Sequence, residues 1–315
     1  MQKDAAALFS HESINLTALK AKAFNFRWAE VDEGVIPMTA ADPDFPVAPE
    51  IVQSIQDYIK DGYFSYTPHT GFPRFKQSMA RYVNEKKAEG IEADLVLPID
   101  SAARGMYIIA ETVLAPGDEV IVFDPVDYLF RESTLAAGGK VVLFPAKVTE
   151  DERIDLSNLE SYVTPKTKMI CLCNPHNPLG LVYSKEDLEH ILAIANKYDL
   201  WIMNDEIWSD IVYTERPFTS ILSLGKALNK KTLSVFGFSK SFGIASLRAG
   251  ALYATQPEIF QELVKKSGVL TTAGGITAIS QIAAITCLDS CGYWLDAFLK
   301  HLQANRDHAV QRLRA

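Results

Sequence analysis

Between residues 119 and 253 the chain repeats one pattern, a short apolar run rich in Val, Ile and Phe followed by a longer stretch with apolar positions every three or four residues. The runs EVIVF (119–123), KVVLF (140–144), KMICLC (168–173), LWIMN (200–204), TLSVFG (232–237) and GALY (250–253) have the length and β-branched content of buried strands. SKEDLEHILAIANKY (184–198) has the helical period, with Leu188, Ile191, Leu192 and Ala195 on one face and Ser184 and Asp187 spaced as an N-terminal cap. Residues 48–60 and 101–114 also read as helices, and residues 293–315 as one long amphipathic helix with no stop signal. Strands alternating with helices predict an α/β domain around a mostly parallel sheet. Residues 1–45 are irregular and rich in Pro and Asp near their end, an arm rather than a domain. No internal repeat or low-complexity linker interrupts the pattern.

Composition narrows the ligand. With 315 residues, 48% of them hydrophobic, the chain can bury a large core, enough for one large domain and part of a second. A net charge of −8 is the reverse of the basic footprint that nucleic acid or an anionic membrane attracts, so small molecules are the expected ligands. The N-terminus has no apolar leader, and the longest apolar stretch (273–288) is shorter than a membrane span and broken by Ser280 and Gln281. A cytoplasmic protein is expected. Cys171, Cys173, Cys287 and Cys291 lie in apolar runs with no nearby histidine to complete a zinc set, so they read as buried thiols and no metal is expected.

In open parallel sheets the ligand sits outside the carboxyl ends of the strands, which makes the residues just after each strand the candidates. KMICLC runs into NPHNPLG (174–180), LWIMN into DEIWSD (205–210), and TLSVFG into FSKSFG (238–243). An asparagine, a carboxylate and a lysine therefore converge on one edge, with Arg248 a short loop beyond Lys240. Singly, Asn177 could shape a turn, Asp205 cap a helix and Lys240 be a solvated amine. Together, after successive strands, they describe a site. No G-x-G-x-x-G follows the first strand, which argues against a nicotinamide cofactor.

NPHNPLG, NDEIW and SKSFGIASLRAG resemble the signature segments of the fold-type-I pyridoxal phosphate (PLP) enzymes, specifically the class I/II aminotransferases and the related cystathionine β-lyase-like C–S lyases. The resemblance runs from IPMTAADPDFP (36–46) to the end of the chain. It implies the PLP-transferase fold, a large domain with a seven-stranded, mostly parallel sheet covered by helices on both faces. The implied division is an arm or part of the small domain at 1–45, the PLP-binding domain at 46–290, and an interdomain helix at 291–315 leading to a truncated small domain.

The same resemblance assigns roles. Lys240 forms the Schiff base with pyridoxal 5'-phosphate and then acts as the base; an amine near other cations suits both tasks. Asp205 holds the pyridine nitrogen protonated. Asp205 is preferred to its neighbour Glu206, because neighbouring side chains at a strand end point to opposite sides. Asn177 bonds the ring oxygen, with a cis Asn177–Pro178 bond expected. Trp208 stands where relatives carry a tyrosine or histidine and, unlike those, cannot ionise. The phosphate falls to Arg248, Ser239 and the backbone of Ser101, Ala102 and Ala103 at a helix N-terminus. Two departures appear: Gly237 replaces a frequent hydroxyl, and the turn at 101–103 lacks the usual glycine. Tyr128 is the candidate for stacking on the ring, its alternative being a core tyrosine, and Tyr66, five residues before Gly71, is the residue that reaches across a homodimer to the neighbouring site. The family's substrate-carboxylate arginine lies far beyond the lysine, whereas 75 residues follow Lys240, so a truncated chain is expected. Amino acid and 2-oxo acid substrates follow from an aminotransferase; a C–S β-lyase and an inactive PLP-binding scaffold are the alternatives.

Overall fold

The computed structural model describes residues 5–22, 28–39, 41–271 and 274–314. Ala315, where the last expected helix ends, Ala40 within the 36–46 segment, Ala273 at the start of the long apolar stretch, and residues 1–4 and 23–27 of the arm lie outside the described residues.

Seven strands form one sheet: β1 (Val96–Ile99), β2 (Glu119–Asp124), β3 (Lys140–Pro145), β4 (Thr167–Cys173), β5 (Trp201–Asp205), β6 (Thr232–Gly237) and β7 (Gly250–Ala254). Their order is β1-β7-β6-β5-β4-β2-β3, and every pairing is parallel except those of β7 with β1 and β6. The six runs legible from their apolar content are present, with ends shifted by a residue. β1 is the addition. Its sequence, VLPI, contains Pro98, which weakens any strand signal, and it sits at the sheet edge, where a residue without an N–H is tolerated.

Helices cover both faces. On one side lie α2 (Pro49–Ile59), α3 (Pro73–Lys87), α6 (Lys185–Lys197), α9 (Ala278–Ser290) and the first turns of α10 (Gly292–Arg314). On the other lie α4 (Ala102–Val113), α5 (Leu129–Ala136) and α8 (Pro257–Ser267). The cap read at Ser184 is a full capping box: Ser184 Oγ accepts from Asp187 N at 3.1 Å and Asp187 Oδ2 accepts from Ser184 N at 3.0 Å. Arg153 adds a hydrogen bond to Ser184 Oγ at 3.1 Å, fastening the start of α6 to the neighbouring loop.

The arm is more ordered than its composition indicates. Short helical turns occupy Ala5–Phe9 and His11–Ser13, followed by α1 (Leu16–Lys22). Phe9 explains the order, since its ring packs 5.1 Å from Trp294 and 5.6 Å from Phe298 of α10, burying what a free arm would expose. Helix α10 is buried only through Trp294, Leu295 and Phe298; beyond them it runs over the surface. Among the described residues no single helix is long and apolar enough to cross a membrane; α9 and α10 reach that content only jointly, as a pair bent by 77°.

Candidate active site

Parallel strands β4, β5 and β6 end side by side, which brings together the loops that leave them. Cys173 is in register with Asp205, and Asp205 with Val235. The Asn174 N–H donates to Asp205 O at 3.0 Å, tying the NPHNPLG loop to the end of β5. In that loop the Asn174–Pro175 and Asn177–Pro178 bonds are cis, as is Asp124–Pro125 after β2; of the three, only Asn177–Pro178 was expected.

Asp205 is 6% exposed. Among the described residues its side chain has one hydrogen-bond donor, the Ile207 N–H at 3.0 Å. Burial pushes its pKa up to about 7, the backbone bond pulls the other way, and the charges of Asp127 and Glu206 push it further up. A buried carboxyl with no cation beside it lacks a partner, and a protonated ring nitrogen is such a partner. Glu206 points to the other side of the sheet, as the strand alternation requires: its carboxylate accepts from Asn204 Nδ2 at 2.9 Å and Ser220 Oγ at 2.6 Å.

Lys240 lies in a short helical turn, α7 (Phe238–Ser241), directly after β6. Its Nζ stands 5.3 Å from the centre of the Trp208 ring, so the indole serves as a neutral face for the ammonium. Ser241 Oγ donates to Asp210 Oδ2 at 2.7 Å and fastens the lysine turn to the loop that carries Trp208. Ser239 is half-buried beside the lysine. Asn177 donates from Nδ2 to Asp127 Oδ2 at 3.1 Å, and Asp127 N donates back to Asn177 O at 3.1 Å.

An anion site lies next to these groups. The fold leaves the Ala102 and Ala103 amides at the start of α4 without intrahelical acceptors, while Arg104 N is capped by Ser101 Oγ at 3.1 Å. The Ser101 hydroxyl is engaged with Asp100 Oδ1 at 2.9 Å, which leaves the backbone as the free donor set. Two glycines make the approach possible. A Cβ on Gly250 would lie 2.9 Å from Ser101 C and 3.0 Å from Ala102 N, and one on Gly237 would lie 2.8 Å from Ile207 Cδ1. The second contact gives a reason for glycine at 237, where the family resemblance leads one to expect a hydroxyl: a Cβ there would meet Ile207. Arg248 is exposed, holds a left-handed backbone at φ 50°, and makes no ion pair among the described residues. Among the described residues, amides without intrahelical acceptors, a guanidinium in no ion pair and a lysine amine, with a buried carboxyl that would accept from a protonated ring nitrogen, fit the groups that PLP presents.

Tyr128 directly follows Asp127, the partner of Asn177, whereas Tyr66 lies on a different loop. Tyr128, at the start of α5, is 70% exposed, which rules out the core alternative. Tyr66 is 93% exposed and lines a cavity of about 610 Å³ with His69, Pro98 and Gln281. Beside Asn177 and Trp208 opens another cavity, of about 630 Å³, bordered by Tyr213, Arg216 and Arg306. Both arginines are ion-paired there, Arg216 with Glu152 at 2.8 Å and Arg306 with Glu215 at 2.7 Å.

Sequence reasoning missed Asp127, although it follows β2 as the other candidates follow their strands. It also missed Lys87 and Glu89, which carry no local signal because they come from the end of α3.

Residues 33–315 match the family model for aminotransferase class I and II. The chain is 30% identical to an aspartate aminotransferase of Thermotoga maritima over 90% of its own length and 73% of the relative's. It is 31% identical to a bifunctional aspartate aminotransferase and glutamate/aspartate-prephenate aminotransferase of Petunia hybrida, over 88% of this chain and 58% of that one. In structure it is similar to an aspartate aminotransferase of Thermotoga maritima (TM-score 0.82, 28% identity, 100% of this chain and 80% of that one). It is also similar to the PLP-containing cystalysin of Treponema denticola (TM-score 0.82, 25% identity, 89% and 73%).

Proposed function

Because the chain belongs to the class I and II aminotransferase family, we propose that it is a pyridoxal-phosphate-dependent aminotransferase moving an amino group between an amino acid and a 2-oxo acid. The observation that carries this is Asp205, a buried carboxyl at a strand end with a single backbone donor. Relatives named as aminotransferases support transfer over β-elimination.

Bound, the cofactor supplies an electron sink that lets a substrate's α-hydrogen leave as a proton. Lys240 would hold the cofactor's aldehyde carbon and would serve as the base for that proton. Asp205 keeps the ring nitrogen protonated. Asn177 would bond the ring oxygen, Trp208 would border the ring without tuning its ionisation, and Tyr128 would stack on it. Arg248, Ser239 and the Ala102 and Ala103 amides hold the phosphate, with Ser101 shaping that turn. The cavity beside Trp208 gives the substrate room.

The working division is an arm at 1–45, a cofactor domain at 46–290 and an interdomain helix from 291. A homodimer with Tyr66 reaching the neighbouring site agrees with the exposed apolar Met38, Phe64 and Tyr66. A reducing cytoplasm suits four buried cysteine residues.

The test is covalent. After incubation with PLP, borohydride reduction and peptide mapping place the cofactor on Lys240; cofactor on another lysine, or none, rejects the reading. D205N is expected to retain PLP while α-proton exchange falls by orders of magnitude.

A further inference from the structure

Behind the end of β5 lies a second group of ionisable side chains that the cofactor roles leave unused. Lys87, at the end of α3, has a side chain 3% exposed, and the carboxylates of Glu89 and Glu206 are fully buried. Lys87 Nζ lies 3.4 Å from Glu206 Oε2 and 4.0 Å from Glu89 Oε1. It donates to Ser209 Oγ at 2.5 Å and stands 4.7 Å from the centre of the Phe236 ring. With Asn204 and Ser220 donating to its other oxygen, Glu206 is surrounded by the partners of a carboxylate anion. Burial opposes the charge of Lys87, but Glu206, Glu89 and Asp210 outweigh it and hold the ammonium protonated. Glu89 is pushed well up, first by burial and then by the charge of Glu206. Tyr253 and Asp210 complete the set around Lys87 and Glu89. Asp205, on the opposite side of β5, is faced by Asp127 from the β2–α5 connection, by Cys173 from β4 and by Glu206.

Consecutive residues thus place one carboxylate in the site and the next behind it, a single peptide unit apart. A like charge that close makes a neighbouring proton harder to lose. We propose that Glu206, held as an anion by Lys87, is a positioning residue whose charge raises the proton affinity of the Asp205 side of the site. A ring nitrogen held against Asp205 then keeps its proton to higher pH. The direction agrees with the upward push that Glu206 exerts on Asp205. This inference rests on the PLP reading for its consequence; the coupling between the two carboxylates does not.

Two NMR titrations on the full chain test it. One follows the pyridine nitrogen of bound ¹⁵N-labelled PLP; the other follows the Asp205 carboxyl carbon without cofactor, assigned with D205N. In E206Q, which keeps the shape and can still accept from Ser220, both midpoints fall by about 1 pH unit or more. K87M acts in the same direction, because a buried Glu206 without its cation takes up a proton. K87R keeps the charge and leaves the midpoints at wild-type values. Unchanged midpoints in a folded E206Q chain overturn the proposal. If E206Q does not fold, agreement between K87M and K87R overturns it instead. A wild-type chain that takes up no PLP rejects the proposed function, and the Asp205 carbon titration still decides the coupling.

Discussion

Asp205 gives the cofactor-free chain one buried, pH-sensitive group. Asp205 has a folded-state pKa raised to about 7, against about 3.9 in an unfolded chain. Between those values the unfolded state has lost the proton that the folded state keeps, so stability falls as pH rises from about 4 to about 7. The loss attributable to Asp205 is about 4 kcal/mol. D205N, which cannot ionise, removes that slope. Urea unfolding at pH 5 and pH 8 is expected to show a smaller difference for D205N than for wild type; equal differences refute the assignment of a buried, uncompensated carboxyl. Burial is the leading cause and is not visible in a linear sequence. Asp205 could be singled out from its place after a strand, but its ionisation could not.

At the scale of elements, the site depends on two backbones approaching where side chains usually keep them apart. Gly250 opens β7 against the first residues of α4. A methyl there would press on Ser101 C, Ala102 N and Phe236 O, all main-chain atoms that cannot rotate away. G250A is expected to destabilise the chain by about 1–3 kcal/mol. It should also weaken PLP uptake, because α4 is displaced from the place where its free amides converge. Melting temperature and PLP titration check the two effects separately; an unaltered affinity with lowered stability removes the α4 amides from the phosphate site. Helix α6 offers a contrasting case. Its capping box was readable from Ser184 and Asp187 alone, since a cap is made by residues three apart. S184A is expected to cost about 1 kcal/mol in denaturant unfolding, without altering cofactor binding.

Over the molecule as a whole, an aromatic cluster joins the two ends of the described chain. Phe9 and Phe45 from the arm meet Trp294, Phe298 and His301 of α10, and Trp294 Nε1 donates to Pro46 O at 3.1 Å. Trp294 is fully buried, and W294A is expected to cost about 3–5 kcal/mol. Released from that anchor, the arm should become the first site of limited proteolysis; an arm equally resistant in W294A contradicts the anchoring role. Lys87 links at the same scale, since it closes a charge cluster between α3 and the turn after β5 across more than a hundred residues of sequence.

Local pattern along the chain was enough to read the alternation of strands and helices and the buried thiols, and to propose the set Asn177, Asp205, Lys240 and Arg248. Each of these rests on short-range periodicity or on the rule that ligands meet parallel strands at their carboxyl ends. Other features were set by packing alone. Pro98 hides β1 from any propensity reading, because only a place at the sheet edge makes a proline strand possible. The exposure of Tyr128 and the choice of glycine at 237 depend on neighbours distant in sequence. So does the Lys87–Glu206 pair, since burial and charge depend on which residues meet in space, and that is fixed by the packing of α3 behind β5 rather than by spacing along the chain.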